Sequence, residues 1–115
     1  MFRFENLEIW KRSIIITDRL FDLADKVEGL RQYRFVEQLR GAALSISKNI
    51  AEGSGSSSRK DFTQYLNYAH RSVFETVNMI LMAHRRNYIR GEEKNLLRNE
   101  LEEISKMING FSKSL

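Results

Sequence analysis

The sequence QLRGAALSISKNIAEGSGSSSRKD, residues 38–61, contains a predicted helix of small and polar residues, a Gly/Ser turn and the basic first residues of the next helix. At 100° per residue, its helical part carries one apolar stripe and a second, largely polar stripe about 110° away. The apolar stripe consists of Leu39, Ala43, Ile46 and Ile50. The second stripe consists of Gln38, Ala42, Ser45, Asn49 and Glu52. Two faces of this helix are therefore predicted to be buried, and the polar groups on one of them need hydrogen-bond partners.

The polar stripe has two interpretations. As a catalytic set, Glu52 with Asn49 and Ser45 would carry out acid–base chemistry, but no nucleophile, histidine or metal-ligand cluster accompanies them in the sequence. As a structural set, the polar residues form a buried hydrogen-bonded network that reaches the following helix and fixes the register of the two helices. We favour the structural interpretation and predict a network of Gln38, Ser45, Asn49, Glu52, Ser72 and Glu75.

Length and composition indicate one globular domain over residues 1–115. The chain contains 42% hydrophobic and 30% charged residues. It contains no cysteine, and this absence is typical of a reducing compartment and excludes thiol catalysis. No apolar run approaches the roughly 18 residues of a membrane span. The N-terminus MFRFENLEIW carries two acids, unlike a signal peptide. We therefore predict a cytoplasmic protein that does not associate with a membrane.

The first and second helices are predicted from their 3.6-residue apolar spacing. The first helix is capped by Asn6 and ends near Lys26, because Gly29 just beyond it is expected to end the helix in the left-handed backbone conformation. The second helix runs from residues 31–33 to Gly53. Both helices are apolar around a wider arc than one core requires.

The third helix follows a turn at residues 54–57 and begins with a capping box, in which Ser58 caps the amide three residues on and Asp61 reaches back. Its apolar stripe lasts about six turns and is bordered by further apolar side chains. The fourth helix, over about residues 92–112, carries the four-three spacing of left-handed bundle packing in Leu97, Leu101, Ile104, Ile108, Phe111 and Leu115. Because short connections make successive helices antiparallel, we predict an all-α fold, an up-down-up-down antiparallel four-helix bundle.

The sequence contains no catalytic or metal-binding pattern. A di-metal bundle would offer Glu-x-x-His pairs, but Asn67 and Leu81 stand three residues before His70 and His84. Neither histidine has the Arg-x(4–6)-His spacing of helical-bundle ribonucleases. Residues 53–60, GSGSSSRK, lack the Gly-Lys-Ser/Thr ending of a nucleotide loop, although free amides and two cations would suit one backbone phosphate. We predict a protein that is not an enzyme and has no cofactor and no metal.

The net charge of +4 is unevenly distributed along the chain. Residues 31–90 hold 10 basic and 4 acidic side chains, whereas residues 1–30 and residues 91–115 each carry a net charge of −1. A basic centre suits nucleic acid or an acidic protein partner, and it also occurs on solvated surfaces that bind neither.

The residues of helices two and three resemble a known family. The segments Gln38-Leu39-Arg40, Ser45-Ile46, Asn49-Ile50-Ala51-Glu52-Gly53 and Asp61-Phe62, with Leu66, are similar to the four-helix-bundle proteins encoded in intervening sequences of bacterial 23S rRNA genes. The similarity covers nearly the whole chain, from Phe4-x-x-Leu7-x-Ile9-Trp10 to Asn87-Tyr88-Ile89. The Asn-Ile-Ala-Glu-Gly segment is its specific signature.

The resemblance implies an up-down four-helix bundle that assembles as a homopentameric ring and carries no catalytic residues. Related accessory proteins of diversity-generating retroelements are basic and pentameric, and they associate with a reverse transcriptase and nucleic acid. The wide apolar arcs of helices one to three independently favour an oligomer. This chain has Arg71-Ser72 where the family usually has Gly-Ser, so the arginine would either prevent close helix approach or add a cation to the outer surface.

Two functional classes follow from these observations. The first is a non-catalytic ring that binds RNA or DNA through Arg40, Lys48, Arg59, Lys60, Arg71, Arg85 and Arg86. The second is a protein-interaction scaffold that recruits a nucleic-acid enzyme, such as a reverse transcriptase, and does not itself bind nucleic acid. Salt-dependent binding would favour the first class, and an enzyme partner retained after nuclease treatment would favour the second.

Overall fold

Four α-helices and no strand make up the computed structural model, which describes residues 1–115. The helices are α1 (Glu8–Glu28), α2 (Tyr33–Ser54), α3 (Arg59–Arg85) and α4 (Gly91–Ser114), and a 3-10 turn at Arg3–Asn6 precedes them. Each helix packs against two neighbours; the contact of α2 with α3 is the most extensive, and that of α1 with α4 is the least. The all-α four-helix bundle predicted from the sequence is confirmed. No helix is long and apolar enough to cross a membrane.

The core lies along the bundle axis, and the predicted apolar stripes supply it. All four apolar-stripe residues of α2 are fully buried. In α4 the first four residues of the predicted seam are buried, and Phe111 and Leu115 pack half-buried at its end. Ala42 on the second stripe of α2 is also buried, because it faces α3. The four-three spacing in α4 therefore marks the helix face that contacts α1 and α3.

The end of α1 differs from the prediction. Gly29 keeps right-handed helical angles, with φ of −60°, and Arg31 adopts the left-handed conformation, with φ of 62°. The reversal is delayed because the amides of Leu30 and Arg31 donate i→i−3 hydrogen bonds to Val27 and Glu28, each with an N···O distance of 2.9 Å. The expectation that Gly29 supplies the left-handed stop is therefore wrong.

The helix caps agree with the prediction at one position only. The Ser58 hydroxyl caps α3 by accepting the amide of Asp61 at 3.1 Å, although the reciprocal half of the capping box is missing. Asn6 is not a cap, because it ends the 3-10 turn and Leu7 takes the N-cap position of α1. That turn is closed by the Glu5 carboxylate, which accepts the Phe2 amide at 2.8 Å.

A close approach of α2 to α3 requires glycine at the end of α2. A Cβ atom on Gly53 would lie 2.6 Å from Cβ of Tyr65 and 3.0 Å from Cδ1 of Phe62. Because the Tyr65 Cβ is fixed to the backbone of α3, it cannot move without displacing the helix. The glycine of the Asn-Ile-Ala-Glu-Gly segment therefore allows the two helices to pack at this distance.

An ion-pair cluster joins α1 to α4, the least extensively packed pair of helices. Arg12 donates to Glu100 at 3.2 Å and to Glu103 at 3.1 Å. The hydrogen bond and the charge of Arg12 lower the pKa of Glu103 below its ordinary value. The same cluster raises the pKa of Arg12, chiefly through its hydrogen bond with Glu103.

Replacing Gly53 by alanine should destabilise the fold. The added methyl group collides with the backbone-attached Cβ of Tyr65, so we expect a loss of about 1–3 kcal/mol in the free energy of unfolding. Urea denaturation followed by circular dichroism measures the change. Gly41→Ala is the matched control, because nothing lies within 4 Å of a Cβ at that helical position. It should be neutral or stabilise by up to about 1 kcal/mol, and equal losses in both variants would contradict the close-approach argument.

The Arg12–Glu103 pair should make part of the stability depend on pH. Because folding lowers the pKa of Glu103, its contribution is present above about pH 4.3, the unfolded value, and is lost as the pH falls through the lower folded pKa. Glu103→Gln should therefore lower the urea midpoint at neutral pH and have progressively less effect below about pH 4. In an Arg12→Leu background the same substitution should show a much smaller pH dependence, because only the charge of Lys106 then still lowers the pKa of Glu103. A pH-independent difference in the wild-type background would argue against the pair.

Candidate nucleic-acid interface

Three of the predicted network residues, Ser45, Asn49 and Ser72, are hydrogen-bonded to one another, and the bond between Ser45 and Ser72 joins α2 to α3. The hydroxyl oxygens of Ser45 and Ser72 lie 2.9 Å apart. Asn49 Nδ2 donates to the Ser45 hydroxyl at 3.0 Å and to the Ser45 carbonyl at 2.8 Å. Ser72 also donates to the Tyr68 carbonyl at 3.1 Å. The half-buried polar groups therefore satisfy one another and connect the two helices.

The other three predicted network residues lie outside these hydrogen bonds. Gln38, Glu52 and Glu75 are exposed and form no side-chain hydrogen bond. Gln38 and Glu52 are the first and last residues of the second stripe along α2, and both side chains are exposed to solvent. The predicted network must be corrected to its three central members.

An open cavity of about 460 Å³ lies beside the network. It is lined by Ser45, Asn49, Tyr68, Arg71, Ser72 and Glu75. Arg71 is exposed, and the 2.9 Å contact between Ser45 and Ser72 beneath it shows that the arginine does not keep α2 and α3 apart. Of the two alternatives for this departure from the family pattern, the arginine adds a cation to the outer surface.

The titratable side chains do not converge on a centre. No group of three or more His, Cys, Asp or Glu residues could hold a metal ion. His70 Nε2 lies 2.8 Å from the Ser105 hydroxyl, and its ring stands against Phe74 with centroids 5.0 Å apart. His70 thus connects α3 to α4 through a single hydrogen bond.

Arg40, one of the seven predicted phosphate contacts, is neutralised within the chain. Its guanidinium donates to Asp25 at 2.6 Å and to Glu28 at 2.7 Å, which ties α2 to α1. These bonds, with that to Glu28 contributing most, raise the pKa of Arg40. Arg40 is therefore a poor candidate for binding phosphate, since a ligand would have to displace two carboxylates.

The other six predicted cations are exposed and form no ion pair with a carboxylate. They do not form one cluster. Arg59 and Lys60 lie at the end of the bundle where α2 connects to α3, Lys48 and Arg71 lie along its side, and Arg85 and Arg86 lie at the opposite end. The 27 residues of α3 separate these ends by about 40 Å.

Three of these cations share one outer face of α3. At 100° per residue, Lys60, Arg71 and Arg85 fall within about 40° of one another. Glu75 borders this face, and no residue of α3 forms an ion pair. The outer surface of α3 is therefore a cationic stripe that no carboxylate of the chain neutralises.

The fold assembles an arginine cluster that the sequence did not indicate. Because α2 and α3 are antiparallel, the first turn of α2 lies beside the last turn of α3, and the rings of Phe35 and Tyr88 meet there at 5.6 Å. We call this region the arginine end. It contains Arg31, Arg34, Arg85, Arg86 and Arg90, all exposed and without an ion pair. Sequence reasoning found only two of the five, because the others are isolated in the sequence and meet only in the fold.

Large apolar side chains are exposed on the outer surfaces of the bundle. On the first two helices Ile15 and Leu44 are exposed, and on α3 Phe74 is 63% exposed and Leu81 is exposed. Between α3 and α4, Phe74 lines a groove of about 330 Å³. Such patches are typical of protein contact surfaces.

Comparison with known proteins identifies the family of the chain. The family model for the 23S rRNA-intervening sequence protein matches residues 5–110. A crystal structure of a protein of unknown function from the S23 ribosomal protein family of Bacteroides thetaiotaomicron VPI-5482 superposes with a TM-score of 0.87 at 26% identity, covering 91% of this chain and 98% of that one. No curated protein matches. The chain belongs to the 23S rRNA-intervening sequence protein family.

Proposed function

We propose that the protein is a non-catalytic, homo-oligomeric nucleic-acid-binding protein that contacts backbone phosphates through its surface cations. The observation that carries this proposal is the imbalance of unpaired charge. Five of the 19 Lys and Arg residues form ion pairs, which leaves 14; seven of the 15 Asp and Glu residues do so, which leaves 8. The cations are thus free to interact with an external polyanion.

The proposed assembly is a pentameric ring. The exposed apolar side chains of α1, α2 and α3 support it, because two different surfaces of one chain can form a head-to-tail contact that closes into a ring. Five copies of a chain of net charge +4 carry about +20 in total. Assembly would therefore convert a modest charge per chain into a strong field around the ring.

A second candidate function is a scaffold that recruits a nucleic-acid enzyme, such as a reverse transcriptase, without binding nucleic acid itself. The exposed Phe74 and Leu81 favour this alternative, since they could contact another protein as well as a second copy. Pull-down from a native lysate separates the two functions. An enzyme retained after nuclease treatment, together with no direct binding of nucleic acid, would favour the scaffold.

Binding should weaken steeply with salt. If at least three phosphates are contacted, raising the salt from about 50 to about 200 mM should reduce the affinity for an RNA or DNA homopolymer by more than about tenfold. Filter binding measures this, and light scattering should give a mass about five times the 13.6 kDa of one chain. A salt-independent affinity contradicts the nucleic-acid proposal, and a monomeric mass contradicts the ring.

A pair of charge-matched variants tests the surface cations. Lys60→Gln with Arg71→Gln removes two unpaired charges from α3 and should lower both the affinity and its salt dependence. Lys11→Gln with Lys106→Gln is the control, because each lysine already pairs with a glutamate of its own helix. Equal effects of the two variants would mean that binding responds only to net charge.

A further inference from the structure

We propose that the arginine end binds single-stranded nucleic acid, with its arginines on the backbone phosphates and Tyr33 stacked on a base. This inference rests on the proposed nucleic-acid function and assigns that function to one surface and one kind of strand. Three of the five arginines, Arg31, Arg34 and Arg90, lie outside the set predicted from the sequence.

The arginines of this end are available to phosphate, because most of the acids near them are paired with other cations. The neighbouring acids Asp25 and Glu28 are held by Arg40, and Glu93 lies 3.4 Å from Lys26. Two acids at this end, Glu37 and Glu92, remain unpaired against five unpaired arginines. Guanidinium groups also bind phosphate oxygens in a bidentate manner, which suits them to a flexible backbone.

Tyr33 provides an aromatic surface among these charges. It is the first residue of α2, stands between Arg31 and Arg34 in the chain, and is 59% exposed. Arg31 adopts a left-handed conformation, with φ of 62°, that glycine or asparagine would adopt at lower cost. The backbone therefore does not by itself favour an arginine at this position.

The combination of exposed tyrosine and arginines favours a single strand over a duplex. Unpaired bases present their faces to solvent and stack on aromatic side chains, whereas the faces of paired bases are covered by their neighbours. A duplex would contact the arginines alone. The first turn of α2 and the segment between α3 and α4 also pack together at this end, because Phe35 contacts Tyr88 and Ile89 is buried.

The opposite end of the bundle is also basic and aromatic, but its Phe2 ring and its Arg3 guanidinium each contact an aromatic ring of the chain. Its exposed Phe2 already stacks on Phe4, with parallel rings 6.0 Å apart. Arg3 lies over the ring of Phe62 at 5.0 Å. Its cations Arg3, Arg59, Lys60 and Lys113 form no ion pair either, and Asp61 lies beside Arg59 and Lys60, so this end serves as a matched control.

Fluorescence anisotropy with labelled homopolymers of about 20 nucleotides, oligothymidylate and oligouridylate, and with a duplex of the same length tests the proposal. Tyr33→Leu should weaken binding to at least one homopolymer about tenfold and leave duplex binding unchanged, because it removes a stacking surface and no charge. Tyr33→Phe should behave as wild type. Equal loss for single strand and duplex, or no loss, overturns the assignment of Tyr33.

The arginines are tested by two charge-matched double variants. Arg34→Gln with Arg85→Gln should weaken single-strand binding more than Arg59→Gln with Lys60→Gln, and all four side chains are exposed, so circular dichroism and light scattering should be unchanged. A larger loss in the Arg59 and Lys60 variant overturns this inference but keeps the proposed function. No binding by the wild-type protein at low salt overturns both.

Discussion

The close packing of α2 against α3 is the constraint on which the rest of the structure depends. Ser45 of α2 meets Ser72 of α3 in the contact, and Gly53 allows the end of α2 to reach Tyr65. The Ser45–Ser72 hydrogen bond joins the two helices in the observed register. Because the helices are antiparallel and in this register, the first turn of α2 meets the last turn of α3. The arginine end is a direct consequence of this packing.

Most of the fold could be predicted because its determinants are local and periodic. The stripe from Leu39 to Ile50 and the seam of α4 depend only on which residues share one face of a helix. Helix ends were less predictable, since they depend on competition between nearby hydrogen bonds. Gly29 suggested an early stop, but two further i→i−3 bonds moved the left-handed residue to Arg31.

The candidate site was predictable only in part, because charge along a sequence does not show which charges meet. Arg40 has the same local sequence character as the other predicted cations, yet the fold places it between Asp25 and Glu28. Arg31, Arg34 and Arg90 are unremarkable singly and form a cluster only through antiparallel packing. The polar stripe shows the same limit, since its central residues face α3 and Gln38 and Glu52 face solvent.

The ion pairs are unevenly distributed over the four helices. Every ion pair between helices includes α1, through Arg12, Lys26, or Asp25 and Glu28, whereas α3 forms none. Arg12 and Lys26 of α1 pair with acids of α4, and Asp25 and Glu28 of α1 pair with Arg40 of α2. Apolar contacts and neutral hydrogen bonds hold α3. Salt screens exposed charges but affects apolar and neutral contacts little. The packing of α3 should therefore persist at salt concentrations that weaken the ion pairs of α1.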